Sequence, residues 1–430
     1  MKRILSIFTI SACLTLLFVF CKRDPKNDQD VAWKRTTNEV IVRLDGDPDR
    51  LNPILSSTSY GGQIYNQIFQ YLMYVNPQTL VLEPQLLKSR PVATEITEGP
   101  WKGGIAYSLE IHDKAVWDNG TPVTGNDYVF TLKAILNPLV DAARLRTFVD
   151  LIRDVTVDPG NPKKFTVYTS EKQIIGEEKV CGAFPIMPEY LYDAGGLLKN
   201  IPLQDLTTPE KAQALSESDG SLKTFAEAFK ASKFSNEKEF VSGSGPYRLE
   251  SWETGARVIL SKKDNWWAEG MDQVTLTASP DRLIYQVITD PTIVVQALRT
   301  EEIDATADID PTQFDSLRNN PDLMARYNFH TPLMLTNFLI YVNTRNPKLS
   351  DKRVRKAIAH ALDVDEFIKV IFSGLGKRAV GPVHPNSEYN NTDLKPLEHS
   401  PEKARQLLKE AGWMDTNGNG TADKNINGKL

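Results

Sequence analysis

The sequence has few of the residues and motifs that mark an enzyme. Its 430 residues include three cysteines and five histidines, and none of the histidines falls in an H-E-x-x-H or other zinc-ligand spacing. It also lacks a G-x-x-x-x-G-K-S/T phosphate loop, a G-x-G-x-x-G fingerprint and a G-x-S-x-G nucleophile elbow. These absences argue against a zinc hydrolase, a nucleotide-driven enzyme and a serine hydrolase. We therefore expect a protein that is not an enzyme, with no catalytic residues, no resident metal and no cofactor.

An excess of one charge is also missing. Lys and Arg total 50 and Asp and Glu total 55, so the formal net charge is -5, which gives no electrostatic basis for binding nucleic acid. Hydrophobic residues make up 41% and charged residues 24%, close to the averages for globular proteins in water. A multi-span membrane protein and a disordered chain are both disfavoured. At about 150 residues per domain, this length predicts two to four domains.

A long apolar run stands at the start of the chain. A basic Met1–Arg3 is followed by the uncharged residues 4–20, which end at Cys21 and the polar stretch KRDPKNDQD. This is the pattern of an export signal over residues 1–20. A cysteine at the end of such a run, with a polar tether over residues 21–37, resembles a bacterial lipoprotein signal. We expect Cys21 to be lipidated and to anchor the protein to a membrane.

Three alternatives remain for this N-terminal signal, and the first is a short membrane anchor that is retained rather than cleaved. Cys13 follows small residues, as lipoprotein signals prefer, whereas Val19 and Phe20 precede Cys21; cleavage before Cys13 would leave an apolar start to the mature chain. The third alternative is an ordinary signal peptide in which Cys21 is unmodified. Cys181 has no partner for a disulfide after export and is expected to be a small buried apolar residue.

Hydrophobic periodicity predicts a mixture of strands and helices after the tether. The predicted strands are 38–44, 105–111, 165–169, a hairpin of 247–252 and 257–263, and a central strand at 337–343. The predicted helices are 63–75, 125–136, 291–298, 352–362, 366–373 and 401–411. Thr124 with Asp127 is the pattern of a capping box. The fold class is α/β or mixed α+β, in several lobes.

Eight segments, in chain order, resemble the family 5 extracellular solute-binding proteins, which serve ABC importers of oligopeptides, dipeptides and nickel complexes. The segments are DPDRLNPILSS, LEPQLLKS, WDNGTPVTGNDYVFTL, SGPYRLESWETGARVILSKKDNWW, IVVQALRTEEIDA, YVNTRNPKLSDKRVRKAIAHALDVDEFI, GPVHP and SPEKARQLLKEAGWMDTNGNG. The resemblance is carried by their order, since no single segment is specific.

The resemblance implies the two-lobed clamp of the large, three-domain subclass of periplasmic-binding-protein-like folds. Lobe I is expected to combine residues 38–60 with 166–307, lobe II to span 61–165, and lobe III to span 308–430. Relatives continue beyond the point that this sequence reaches, so we expect the third lobe to be incomplete and the chain to be truncated at its C-terminus.

The function implied by the resemblance is that of a receptor. It captures a peptide or peptide-like solute between two lobes and delivers it to the permease of an ABC importer, as a monomer lipid-anchored in the periplasm or at the cell surface. The alternative is a surface lipoprotein of the same fold that acts as an adhesin or is a truncated remnant that binds nothing. Neither reading involves nucleic acid.

The resemblance also assigns a ligand-binding loop, which comprises Ser57, Thr58, Ser59 and Tyr60. This loop matches a family segment that lines the crevice between lobes, and small hydroxyls with backbone groups suit recognition of a peptide main chain. The alternative is a solvated loop without a ligand.

Several other conspicuous residues are interpreted as structural. Trp266 and Trp267 match an aromatic pair that packs the sheet of lobe I, and Trp117 with Asp127 matches a motif that shapes lobe II. The basic residues of the helix 352–362 are expected to form a solvated face rather than an anion site.

The segment 415–426 resembles half of a calcium loop. Asp415, Asn417 and Asn419 take the first, third and fifth positions, but Ile426 stands where the loop needs a bidentate glutamate. A turn rich in Asn and Gly explains the segment as well, and no metal ligand is assigned.

Overall fold

The computed structural model describes residues 38–76, 79–307, 309–387 and 389–426. The expected export signal, the lipidation site Cys21 and the tether 21–37 lie outside these residues and stay predictions. Within the described ranges, no helix combines the length and the apolar composition that a membrane crossing requires.

The described chain alternates short strands and helices. The strands are β1 (Glu39–Leu44), β2 (Met73–Val75), β3 (Leu82–Pro84), β4 (Val92–Glu95), β5 (Ile105–Glu110), β6 (Ile152–Val157), β7 (Lys164–Thr169), β8 (Tyr247–Glu253), β9 (Arg257–Lys262) and β10 (Arg282–Val287). The helices are α1 (Ser59–Ile68), α2 (Gly125–Leu136), α3 (Ala143–Arg146), α4 (Gly176–Cys181), α5 (Glu189–Tyr192), α6 (Leu203–Leu206), α7 (Pro209–Ser218), α8 (Gly220–Phe229), α9 (Lys233–Asn236), α10 (Pro291–Arg299), α11 (Pro311–Arg318), α12 (Pro321–Met324), α13 (Lys352–Ala361), α14 (Val364–Ile371) and α15 (Pro401–Glu410).

The first sheet has the strand order β1-β10-β9-β8. The predicted hairpin is confirmed: β8 and β9 pair antiparallel across a turn in which Gly255 has a φ of 74°, a conformation that glycine adopts without strain. Along β9, Val258 and Leu260 enter the main core while Ile259 packs on the opposite side with α10. The sheet is therefore buried on both faces, as its continuous apolar run predicts.

The second four-stranded sheet has the order β4-β5-β7-β6 and is antiparallel. Its inner face packs on α2, where the ring of Tyr128 lies 5.4 Å from that of Phe165. Its outer face carries Ser108, Thr166 and Thr156 on three neighbouring strands. The predicted strands here are confirmed, and β7 runs across the expected boundary between residues 165 and 166. The lobe boundaries themselves stay predictions.

The capping box at α2 is confirmed. The side chain of Thr124 accepts a hydrogen bond from the Asn126 N–H at 3.2 Å, and Asp127 accepts one from the Thr124 N–H at 2.9 Å. Each bond satisfies an N–H that has no partner inside the helix. Asp127 also accepts a bond from the Glu189 N–H, so a single carboxylate fixes the start of α2 and of α5.

The tryptophan pair belongs to the core, as the sequence predicts. Trp266 and Trp267 are 6% and 8% exposed, and both indole N–H groups donate to the Ser244 carbonyl, at 2.8 and 2.9 Å. Trp117 is buried as well. Cys181 is 1% exposed, and burial raises the pKa of its thiol well above the ordinary value, so it is an inert apolar residue.

The predicted helix over 63–75 is wrong in its second half. Helix α1 ends at Ile68, and residues 73–75 form β2, which pairs with β3. The Ile68 carbonyl accepts a hydrogen bond from the Gly245 N–H at 2.8 Å. A Cβ on Gly243 would lie 2.3 Å from that same carbonyl oxygen, so the glycines let this distant segment approach and end the helix.

The predicted central strand at 337–343 is also wrong. These residues form no strand, and Phe338, Ile340 and Tyr341 are 75%, 71% and 89% exposed. No other described residue pairs its backbone with residues 337–342. An apolar run becomes a central strand only where neighbouring strands and a covering layer exist. Nearby, α13 packs on α15, and Val354, Ala357 and Ala404 of these two helices are buried.

Candidate functional site

The predicted ligand-binding loop leads directly into α1. Ser57 and Ser59 are exposed, whereas Thr58 and Tyr60 are half-buried. Thr58 is the N-cap of the helix, and its hydroxyl accepts a hydrogen bond from the Gly61 N–H at 3.1 Å. The S/T-rich composition thus has a local structural purpose, because hydroxyl side chains satisfy the free N–H groups at a helix start.

Asp49 organises this loop and was not identified from the sequence. Its carboxylate accepts hydrogen bonds from the hydroxyls of Ser56, Ser57 and Thr58 at 2.8 to 3.0 Å, and from the Ser57 N–H at 2.9 Å. Partial burial alone would raise the pKa of Asp49, but these four donors outweigh it and hold the pKa at about 2. The carboxylate is therefore ionised at neutral pH and fixes the loop.

This network changes what the loop can offer a ligand. Because the hydroxyls of Ser57 and Thr58 donate to Asp49, they are oriented towards their own chain. A ligand would instead meet backbone groups, the exposed side chain of Ser59 and the ring of Tyr60. That set suits recognition of a main chain rather than of a particular side chain.

Tyr60 is positioned by a glycine in the preceding loop. A Cβ on Gly46 would lie 2.4 Å from the Tyr60 ring. The ring therefore packs against the backbone of Gly46, where any side chain would collide with it. Tyr60 is the second residue of α1, and its backbone is fixed by the helix. The aromatic ring and the hydroxyl loop are therefore held by separate contacts.

Arg144 supplies a cation beside the loop and was also missed. Its guanidinium donates to the Ser56 carbonyl at 3.3 Å and lies near Tyr65, while the residue remains exposed. Burial raises the pKa of Tyr65, and the charge of Arg144 partly offsets that effect. An exposed guanidinium held at a fixed position is suited to pair with a carboxylate.

Tyr65 continues into a cluster of polar aromatic residues. It lies near Tyr71, whose hydroxyl donates to the side-chain oxygen of Asn66 at 3.1 Å. The Asn66 amide in turn donates to the Tyr74 hydroxyl at 3.3 Å, and the rings of Tyr71 and Tyr74 are 5.2 Å apart. This network rigidifies the region between α1 and β2 and so supports the loop.

The segment resembling half of a calcium loop uses its oxygens on its own backbone. Asp415 accepts hydrogen bonds from the N–H groups of Gly418, Asn419 and Gly420, and these bonds lower the pKa of its carboxyl. Asp423 pairs with Met414 through two backbone bonds that close the turn. In the part of the chain that the structure describes, no group of three or more His, Cys, Asp or Glu could hold a metal ion.

The basic residues of α13 hold helix ends together. Arg353 pairs with Asp351 at 2.6 Å and donates to the Glu410 carbonyl at the end of α15. Arg355 donates to the carbonyls of Leu349 and Ser350. Both guanidinium groups are thus engaged within the protein, and neither forms an anion site with the loop.

Comparison with known proteins identifies the family. Residues 83–429 match the family model described as bacterial extracellular solute-binding proteins, family 5 Middle. The chain is 25% identical over 395 residues to the oligopeptide-binding protein AppA of Bacillus subtilis, a match that covers 90% of this chain and 61% of AppA. The chain therefore spans about three fifths of the length of this relative.

Two solved structures show the same fold. AppA of Bacillus subtilis in complex with a nonapeptide superposes with a TM-score of 0.62 at 22% identity, over 91% of this chain and 68% of AppA. NikZ of Campylobacter jejuni in complex with Ni(L-His) gives a TM-score of 0.61 at 21% identity, over 91% of this chain and 66% of NikZ. The neighbours confirm the expected mixed α/β fold of the two-lobed clamp, and the chain belongs to the family 5 bacterial extracellular solute-binding proteins.

Proposed function

We propose that the chain is a solute-binding receptor of an ABC importer, which captures a peptide or peptide-like solute between two lobes. The observation that carries the proposal is the family match over residues 83–429. In this role the protein performs no chemistry on its ligand and delivers it to a permease complex in the membrane. Closure of one lobe on another would bury the solute while each lobe stays rigid.

The ligand-binding part of the proposal is the loop from Ser57 to Tyr60 together with Arg144. The backbone of the loop would bind the main chain of a peptide, and the guanidinium of Arg144 would pair with a ligand carboxylate. The four donors to Asp49 support this assignment, because a rigid loop loses less conformational entropy on binding.

The lobe assignment forms part of the same proposal. Residues 38–60 and 166–307 would build lobe I, and the pairing of β1 with β10 supports this because it joins those two segments in one sheet. The second sheet, which runs from β4 to β7, would belong to lobe II.

The proposal extends to the location of the protein. We propose that residues 1–20 direct export and that Cys21 carries the lipid that holds the receptor at a membrane. Mass spectrometry of the mature N-terminus tests this part. A chain that starts at a diacylated Cys21 is expected, and an unmodified Cys21 would contradict the lipid anchor.

The receptor function is tested by thermal denaturation of the full chain against di- to hexapeptides and a nickel–histidine complex. A peptide that binds is expected to raise the Tm, by an amount that grows with ligand concentration. Arg144→Gln should weaken stabilisation by peptides with a free C-terminal carboxylate more than by the same peptides as C-terminal amides. The absence of stabilisation by every peptide and by the nickel complex would contradict the receptor function.

A further inference from the structure

The outer face of the second sheet holds a cavity of about 420 Å³, which we call the outer groove. Its volume falls in the range of small-molecule sites. A row of four residues crosses it, one on each strand of the sheet, and each residue lies opposite the next. The row is Val92, Ser108, Thr166 and Thr156. The described residues that line the groove include neither the loop from Ser57 to Tyr60 nor Arg144.

The three hydroxyls of this row are not used within the protein. Ser108 and Thr156 are exposed and Thr166 is half-buried, and none of their hydroxyls forms a hydrogen bond with another described residue. Each hydroxyl can donate one hydrogen bond and accept two. Neighbouring strands are about 4.8 Å apart, so the groove presents a line of evenly spaced donors and acceptors.

The charges that line the groove cancel. Two are positive and two are negative: Arg90, Lys164, Glu110 and Asp158. Arg90 pairs with Glu177 at 2.9 Å. Glu110 pairs with Lys88 at 2.6 Å, and Lys164 lies 3.8 Å from the same carboxylate. A charged ligand would lose hydration here without meeting a free counter-ion, so the groove favours an uncharged ligand.

An aromatic surface adjoins the hydroxyl row. Lys164, Thr166 and Tyr168 alternate along β7 and so lie on the same face of the sheet, over a length of about 13 Å. The half-buried ring of Tyr168 stacks on that of Trp101, with the centroids 5.4 Å apart. The face of an aromatic ring is electron-rich and attracts weakly polarised C–H groups.

These features match one class of ligand. A sugar ring has hydroxyls around its edge, C–H groups on its faces and no charge. We propose that the outer groove binds a neutral saccharide of two or three sugar units. The saccharide hydroxyls bond Ser108, Thr156 and Thr166, and one sugar ring packs on Tyr168. The site is separate from the loop proposed to bind peptides, so this inference does not depend on the receptor function.

The experiment titrates the full chain with maltotriose, cellotriose and chitotriose and follows the backbone amides by NMR. At least one of these trisaccharides is expected to shift the amides of Thr156 and Thr166 and to leave those of Ser57 to Tyr60 unchanged. The charged trimer of galacturonic acid should bind more weakly than that trisaccharide, because the groove offers it no free cation.

The variant that tests the site is Thr156→Val combined with Thr166→Val. Valine keeps the β-branched shape that suits a strand and removes only the hydroxyl. The Kd for the saccharide should rise by about tenfold, because two hydrogen bonds are lost. Thr336→Val, at an exposed threonine outside the groove, is the matched control and should leave the Kd unchanged. The Tm of each variant shows that it folds.

Four results would overturn the proposal. The first is that none of the three trisaccharides shifts the groove amides, and the second is that the double variant binds as tightly as the parent chain. The third is tighter binding of the charged trimer. The fourth is that a tripeptide shifts the groove amides and the saccharides do not, which would make a peptide the occupant. These readouts report on the outer groove, so a failure here is distinct from a failure of peptides to raise the Tm.

Discussion

The strands around β9 and the extended segment 337–343 are both rich in β-branched and aromatic residues. The strands are buried, whereas the extended segment is exposed. In the sheet, Ile284 is 1% exposed because strands flank it and α10 covers it. In the extended segment, Ile340 is 71% exposed and no described strand pairs with it. A strand-like sequence therefore indicates that a segment is suited to burial. The segment is buried only where neighbouring strands and a covering layer are present.

The largest expected effect comes from truncating one isoleucine in each region. Ile284→Ala removes side-chain atoms from a packed core and should lower the free energy of unfolding by about 2–5 kcal/mol. Ile340→Ala removes exposed atoms and should change it by less than about 0.5 kcal/mol. Urea denaturation followed by fluorescence measures both. Equal effects of the two substitutions would mean that residue 340 is buried in solution.

Asp49→Asn should have the next largest effect, because it removes an ionised acceptor of four hydrogen bonds. We expect a loss of about 1–2 kcal/mol at pH 7, measured by urea denaturation, because solvent screens the exposed carboxylate and weakens each bond. The folded pKa of about 2 lies below the ordinary value of 3.8, so the charged form stabilises the fold. That contribution is complete above about pH 4 and is lost as the pH falls through about 2.

The control for this substitution is Asp141→Asn, at an exposed aspartate of the loop after α2. It should change the stability little at any pH. If Asp49→Asn destabilises the protein equally at pH 7 and pH 2.5, the hydrogen bonds to the charged carboxylate are not the cause.

The smallest effects come from the two helix caps Thr124 and Ser400. Thr124→Ala should lower the global stability by about 1 kcal/mol, since α2 lies in the main core. Ser400→Ala removes an equivalent cap from α15 but should mainly speed local amide exchange in that helix, because few of its side chains are buried. Native-state hydrogen exchange separates the two results. A shift of the global transition by Ser400→Ala would show that both regions unfold together.

Local signals predicted much of the fold. The hairpin of β8 and β9 depends on a short turn with Gly255, and α2 depends on the adjacent Thr124 and Asp127, so both could be recognised in a few residues. The end of α1 depends on Gly245, which lies far along the chain. Hydrophobic periodicity contains no information about a contact so distant in sequence. The helix that begins the α1 region was therefore predicted too long.

The candidate site was likewise predicted only in part. The hydroxyl loop was recognisable as a compact S/T-rich segment, although its correct role as a cap and as donors to Asp49 was not. Asp49 lies seven to nine positions before the hydroxyls that it binds, and Arg144 lies 88 positions after Ser56. Neither pair lies within one helix or strand, so their positions follow only from the folded chain.

The pairing of β1 has a consequence for the order of folding. The Ile41 N–H donates to the Asp304 carboxylate at 2.8 Å across 263 positions, and β1 lies beside β10 rather than beside a strand near it in sequence. Closing so long a loop is entropically unfavourable until the intervening chain has condensed. Of the described strands, β1 is the first to be synthesised, and it is thus expected to be among the last to pair, so refolding should be slow.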